Sequence, residues 1–154
     1  MKQLLTAKSD VAAHVLLVDD NRDGLLARKA LLQEQGIIVT TASNGEEGYE
    51  LFTKGKFDLL VTDFKMPKLN GIELIRRVRP LQPALPIILL SGFVDALGLD
   101  ENSTGADVVI NKGVHEIPHL LRSVTRLLAR PVAKRPPASQ KEPGGKRKTK
   151  SASA

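Results

Sequence analysis

Two observations predict an α/β fold built on a parallel, doubly wound sheet. Short apolar runs alternate with helix-length segments along the chain. Several of those runs are apolar at every position rather than at every second one, as in strands buried on both faces. The strand candidates are His14–Val18, Ile37–Thr41, Asp58–Thr62, Pro86–Leu90 and Asp107–Ile110. Between them lie helix candidates at Arg22–Gln35, Asn44–Lys54, Gly71–Leu81 and a weaker Val94–Ser103, with a last one at Glu116–Ala129. Five strands alternating with five helices form βαβ units. In such sheets, sites form beyond the carboxyl ends of the strands.

Individual elements carry their own signals. In the final helix, Ile117, Leu120, Leu121, Val124, Leu127 and Leu128 form one apolar stripe fit to pack on a sheet. The second helix starts at a capping-box-like Ser43-Asn44-Gly45-Glu46, and the third opens at Asn70-Gly71 and stops before Pro80. The fourth contains Gly98, Asp100, Asn102 and Ser103, all poor helix formers, and is expected to be short or mobile.

Composition narrows the function classes. The 154 residues suit one compact domain, and 42% are hydrophobic, enough for a core. There is no cysteine, which excludes disulfides, thiolate metal sites and a cysteine nucleophile and fits a cytoplasmic location. No apolar run approaches the ~20 residues of a membrane span, so no membrane insertion is expected. MKQLLTAKSD lacks the apolar stretch of a secretory signal. The net charge of +6 belongs to one end of the chain: eight Lys or Arg from Arg130 onward face one acid, Glu142, while residues 1–129 hold 15 bases and 16 acids. Rich in Pro, Gly, Ser, Ala and Lys, residues 130–154 read as a disordered basic tail. Residues 1–12 read as a partly flexible extension, leaving 13–129 as the folded domain.

The chemistry gathers at the strand ends. Asp19-Asp20 closes the first run, Asp63 follows the third, Ser91 follows the fourth, and Lys112 comes two residues after the fifth. A parallel sheet brings these ends to one edge. Three nearby carboxylates repel unless a cation sits among them, and oxygen donors without His or Cys favour a hard ion, Mg²⁺. A carboxylate beside such an ion can attack phosphorus and form an acyl phosphate. Lys112 supplies a second positive charge and Ser91 a hydrogen-bond donor. Singly, an Asp pair after a strand is ordinarily a solvated loop or a helix cap. The signal lies in all five residues falling in register with one fold.

The stretch FDLLVTDFKMPKLNGIELIRRVR resembles the phosphorylation-site segment of two-component response-regulator receiver domains, and the resemblance covers about residues 14–129. It implies a flavodoxin-like (βα)5 fold with strand order 2-1-3-4-5. It further implies that Asp63 is the phosphoacceptor, Asp20 a direct Mg²⁺ ligand, and Asp19 a ligand acting largely through water. The Lys65 backbone carbonyl would complete the metal set, Ser91 would be the switch hydroxyl, and Lys112 would contact the phosphoryl group. Met66-Pro67 and Gly71 would shape the loop after the acceptor. Implied partners are a histidine kinase or phosphotransfer protein upstream and an unidentified protein downstream. The implied oligomeric state is a monomer, or a weak homodimer through the fourth helix, fifth strand and fifth helix. No separate enzyme substrate is expected beyond the domain's own phosphorylation and dephosphorylation.

Three positions depart from the family pattern. Lys112 is followed by Gly113 where the family usually has proline, leaving that loop freer. The switch aromatic is replaced by Val109, and the fourth helix is weak. His115 and His119 read as surface residues rather than ligands. The first helix, with Arg22, Leu25, Leu26 and Lys29, matches the kinase-docking element, and its imperfect periodicity suits one partly exposed leucine.

Three other readings compete with a stand-alone phosphoacceptor. One is a receiver-fold interaction module with altered or phosphorylation-independent switching. A second is a Mg²⁺-dependent phosphohydrolase, which would need an Asp-x-Asp nucleophile that Val18-Asp19-Asp20-Asn21-Arg22 lacks. The third is a nucleic-acid or anionic-surface binder acting through residues 130–154, which carry no aromatic residue for stacking on bases. A solubilising or tethering role suits that tail better.

Overall fold

A computed structural model describes residues 12–92 and 94–129. Phe93, the first eleven residues and the basic tail lie outside the described residues, so the expectations of a flexible extension and a disordered tail fall there as well.

Five parallel strands form one sheet in the order β2-β1-β3-β4-β5. They are β1 (His14–Val18), β2 (Ile38–Ala42), β3 (Leu59–Asp63), β4 (Ile87–Ser91) and β5 (Val108–Asn111). The last four begin one residue later than the apolar runs suggest. Asp63 and Ser91 are therefore the final residues of their strands rather than the first residues after them.

Around the sheet lie α1 (Arg22–Glu34), α2 (Gly45–Lys54), α3 (Gly71–Val78), α4 (Val94–Leu97), α5 (Glu101–Thr104) and α6 (Glu116–Ala129). The expected fourth helix is thus two four-residue pieces. Gly98, at φ +64, breaks the chain between them. Asp100 then starts a new capping box with Ser103, and Gly105 ends it in a left-handed cap. The expectation of a short helix holds, because each turn is stopped by its own punctuation.

Alternation along the strands explains the two layers. Leu16, Val18, Leu60, Ile87 and Leu89 point to one face, where Phe52 of α2 and Leu74, Ile75 and Val78 of α3 cover them. Val15, Leu17, Leu59, Val61, Ile88, Leu90, Val108 and Ile110 point to the other, beneath Leu25 and Leu32 of α1 and Leu120, Val124 and Leu127 of α6. Burial on both faces is why the central strands are apolar over most of their length, as in Val15–Val18, Leu59–Val61 and Ile87–Leu90.

Caps fix where the helices begin. Asn21 and Asn44 each accept from a backbone N–H three residues on, at 2.9 and 2.8 Å. The α2 cap is therefore Asn44, with Glu47 reaching back to the Ser43 N–H at 2.7 Å, one residue later than the motif read from sequence. Asn70 and Glu73 form a reciprocal box at 2.9 Å on α3. That helix ends at Val78, before Pro80 and short of the expected Leu81. Pro118 sits in the first turn of α6, where its missing N–H has no intrahelical acceptor to lose.

The loop from β3 to α3 folds back closely on β3. Lys68 takes φ +72, and the Leu69 N–H donates to the Pro67 carbonyl at 2.7 Å, closing a three-residue turn. The Gly71 N–H then donates to the Phe64 carbonyl at 2.8 Å. A Cβ at Gly71 would run into the Asp63 backbone carbonyl and Leu89, so only glycine lets α3 start this close to β3. Gly71→Ala should cost about 2 kcal/mol or more by overpacking, whereas Gly92→Ala, with nothing within 4 Å, should change stability little. Urea denaturation of the two variants checks this; equal midpoints would refute it.

Candidate functional site

The register of the central strands assembles the site. Val18 pairs with Thr62, so the residues that follow, Asp19 and Asp63, arrive side by side. Asp63 pairs with Leu90 and Ser91 with Asn111, which brings Ser91 one step beyond Asp63 on the neighbouring strand. The Lys112 N–H continues that ladder onto the Ser91 carbonyl at 2.9 Å. All five positions singled out in the sequence therefore meet at one sheet edge. Lys65, two residues past Asp63, lies in the β3–α3 loop with its side chain exposed.

One ligand oxygen from each of Asp19, Asp20 and Asp63 lies within 4.8 Å of the others. Asp19 and Asp63 are buried, at 1% and 5% exposure, while Asp20 faces solvent. Lys112 Nζ forms a 2.6 Å ion pair with Asp63 Oδ1. Burial pushes the Asp63 carboxyl above its ordinary value; the Lys112 hydrogen bond opposes this, and the Asp19 charge adds to the rise.

Arg28 was not anticipated as a site residue. It is 7% exposed, donates from Nη1 to Asp19 Oδ2 at 2.6 Å, and donates from Nε to Glu116 Oε2 at 2.6 Å. Burial pulls its guanidinium towards neutrality, but Glu116 and then Asp19 outweigh that and hold it above its ordinary value. A signal existed: Leu25, Arg28 and Leu32 are the buried positions of α1, so an arginine occupies a slot on the apolar stripe. The other oxygen of Asp19 accepts the Asn21 N–H at 2.9 Å, so the carboxylate is held at both ends.

The donor set fits a hard divalent cation. It offers oxygens only. Within the cluster, the carboxylates of Asp19, Asp20, Asp63 and Glu116 stand against Arg28 and Lys112, leaving two negative charges without a partner cation inside it.

The remaining candidates sort as follows. His115 is exposed and His119 half-buried, neither in the acidic cluster. Leu26 is the exposed leucine of α1, at 47%. Val109 is half-buried against the α2–α3 layer, and its N–H donates to Glu101 at 3.2 Å. Gly113 does not adopt a positive φ, and a Cβ there would meet nothing within 4 Å, so the backbone does not require glycine at that position.

Comparison with known proteins places this geometry in a family. The model of the response regulator receiver domain matches residues 15–125. The response regulator receiver protein CpdR of Brucella abortus is 33% identical over 115 residues, which cover 74% of this chain and 95% of that protein. A gliding motility regulatory protein of Myxococcus xanthus is 36% identical over 119 residues, 73% of this chain, and the chain spans only 15% of that protein's length. Among solved structures, the response regulator TrrA of Thermotoga maritima, in complex with Mg²⁺-BeF, aligns with a TM-score of 0.67 at 32% identity. That alignment covers 75% of this chain and 98% of TrrA. No helix among the described residues is long and apolar enough to cross a membrane. With its five-stranded parallel sheet in the order 2-1-3-4-5 and its acidic strand-end cluster, the chain belongs to the response regulator receiver domain family of two-component signalling.

Proposed function

We propose that Asp63 accepts a phosphoryl group from a histidine kinase or phosphotransfer protein, and that the event leaves the domain through protein–protein contacts in the cytoplasm. The observation that carries this reading is the pairing of a buried carboxylate with an ammonium 2.6 Å away, in a cluster that offers three ligand oxygens within 4.8 Å. An oxygen of Asp63 attacks phosphorus, and a new P–O bond forms as the P–N bond of the donor phosphohistidine breaks. The bonding pair departs with the imidazole nitrogen, which takes up a proton.

Asp19, Asp20, Asp63 and the Lys65 carbonyl would hold Mg²⁺. Bound there, the ion offsets charge on the phosphoryl oxygens and orients them. Lys112 already rests on the carboxylate that is modified, so its ammonium is within reach of a phosphoryl group placed there. Ser91, buried at the end of β4, supplies a hydroxyl for a phosphoryl oxygen present only after transfer. Residues 13–129 act as the receiver unit. The face made by α4, α5, β5 and α6 carries the output, either as a monomer or in a weak homodimer.

Incubation with acetyl phosphate and Mg²⁺ should add one phosphoryl group by intact mass, with none on Asp63→Asn or in excess chelator. An adduct of equal yield on the Asn variant would remove Asp63 as acceptor. Lys112→Met should still fold but should lower the rate of labelling by about ten-fold or more, as read from the time course.

The metal-free protein gives an independent check on the acceptor's surroundings. Because burial raises the Asp63 value in the folded state, its ionisation opposes folding. The opposition is absent below the unfolded value of ~3.8–3.9 and grows as pH rises through the folded one. In chelator, Asp63→Asn should therefore melt higher than the parent at pH 7, and the gap should close by pH 3.5. A gap that widens on acidification would contradict the sign.

A further inference from the structure

The buried chain of contacts Asp19–Arg28–Glu116 links the acidic site to the first residue of α6 without passing through Lys112. We propose that Arg28 is a positioning residue: it is the resident counter-ion of Asp19 and, through its grip on Glu116, makes cation occupancy of the site felt at the start of α6. The inference rests on the divalent-cation reading above.

Three observations carry it. First, the guanidinium is shared. Nη1 serves Asp19 and Nε serves Glu116, both at 2.6 Å, so a change in its attraction to one carboxylate alters its hold on the other. Second, space is made for it. A Cβ at Gly24, in the first turn of α1, would lie 3.0 Å from Nη1 and 3.6 Å from Asp19 Oδ2. Glycine inside a helix is otherwise unfavourable by about 1 kcal/mol relative to alanine, and here it clears the path from Arg28 to the site. Third, Glu116 anchors the α6 end of a connection whose other end is held by Lys112. Lys112 to His115 are half-buried or exposed, and a Cβ at Gly113 would meet nothing within 4 Å. Within that turn the Glu116 N–H reaches the Gly113 carbonyl at 3.2 Å, and the ion pair ties its α6 end to Arg28 of α1.

The consequence is a competition of like charges. A divalent cation beside Asp19 weakens the field that draws Arg28 inward, and the guanidinium shifts its share towards Glu116. By linkage, anything that frees Arg28 from Glu116 strengthens its hold on Asp19 and opposes the cation. A purely structural salt bridge predicts lost stability on substitution, without opposite changes in cation affinity.

The test uses the full chain, Mg²⁺ alone, calorimetric binding isotherms and backbone amide spectra. Arg28→Met, which keeps the stem and removes the charge, should bind Mg²⁺ about ten-fold more tightly. Glu116→Gln, nearly isosteric and expected to fold, should bind it about three-fold more weakly because Arg28 is left to Asp19. In the unsubstituted chain, Mg²⁺ should shift the amides of Glu116, Ile117, His119 and Leu120. Those shifts should vanish in both variants while the shifts around Asp63 persist. Equal Mg²⁺ affinity in the unsubstituted chain and Glu116→Gln, or α6 shifts that persist in that variant, would overturn the coupling and leave the metal reading intact. An unsubstituted chain that binds no Mg²⁺ would instead overturn the metal reading, and the counter-ion role with it.

Discussion

Everything at this site follows from the cost of gathering carboxylates at the edge of a sheet that is buried on both faces. Asp19 and Asp63 end adjacent strands and are almost inaccessible to water. At Asp63, burial and then the neighbouring Asp19 charge disfavour the charged form. The surrounding residues supply the compensation: Lys112 rests on Asp63, Arg28 on Asp19, and the Asn21 N–H on the other Asp19 oxygen. Compensation within the cluster is incomplete by two charges, and that deficit suits a dication.

The scaffold supplies the rigidity that such a site needs. Parallel pairing fixes the relative height of the strand ends, with Val18 opposite Thr62, Asp63 opposite Leu90 and Ser91 opposite Asn111. The β3–α3 connection then folds back closely enough that a Cβ at Gly71 would run into the Asp63 carbonyl. The opposite end of the sheet is held separately. Arg79 donates to the carbonyls of Leu85 at 2.6 Å and Gly105 at 2.8 Å, while Asp107 accepts from the Ile87 N–H at 2.8 Å.

Less constraint is visible between β4 and α6. The helix expected there is two single turns around Gly98, Val109 stands where the family pattern has an aromatic side chain, and a Cβ at Gly113 would meet nothing within 4 Å. Against this loosely packed side, the Arg28–Glu116 pair is the short, buried polar connection between the acidic site and α6. The edge strand β5 is protected in part by Glu101, whose carboxylate accepts from the Val109 N–H and occupies a backbone group that would otherwise face solvent.

Much of this was legible in the sequence because strand burial and helix capping are local properties. Continuous apolar runs mark strands covered on both sides, and Asn70 with Glu73 marks the start of a helix without reference to anything distant. The meeting of Asp19, Asp20, Asp63, Ser91 and Lys112 was legible as well, since a parallel sheet sends every carboxyl end to the same edge. Strand limits were off by a residue because apolarity does not report where ladder pairing stops. Arg28 and Glu116 could not be read as a site, being 88 positions apart and on different helices. An arginine on an apolar stripe shows only that something must pay for its burial. Which carboxylates do so, and that one of them belongs to the acidic cluster, is decided by α1 and α6 packing side by side on one face of the sheet.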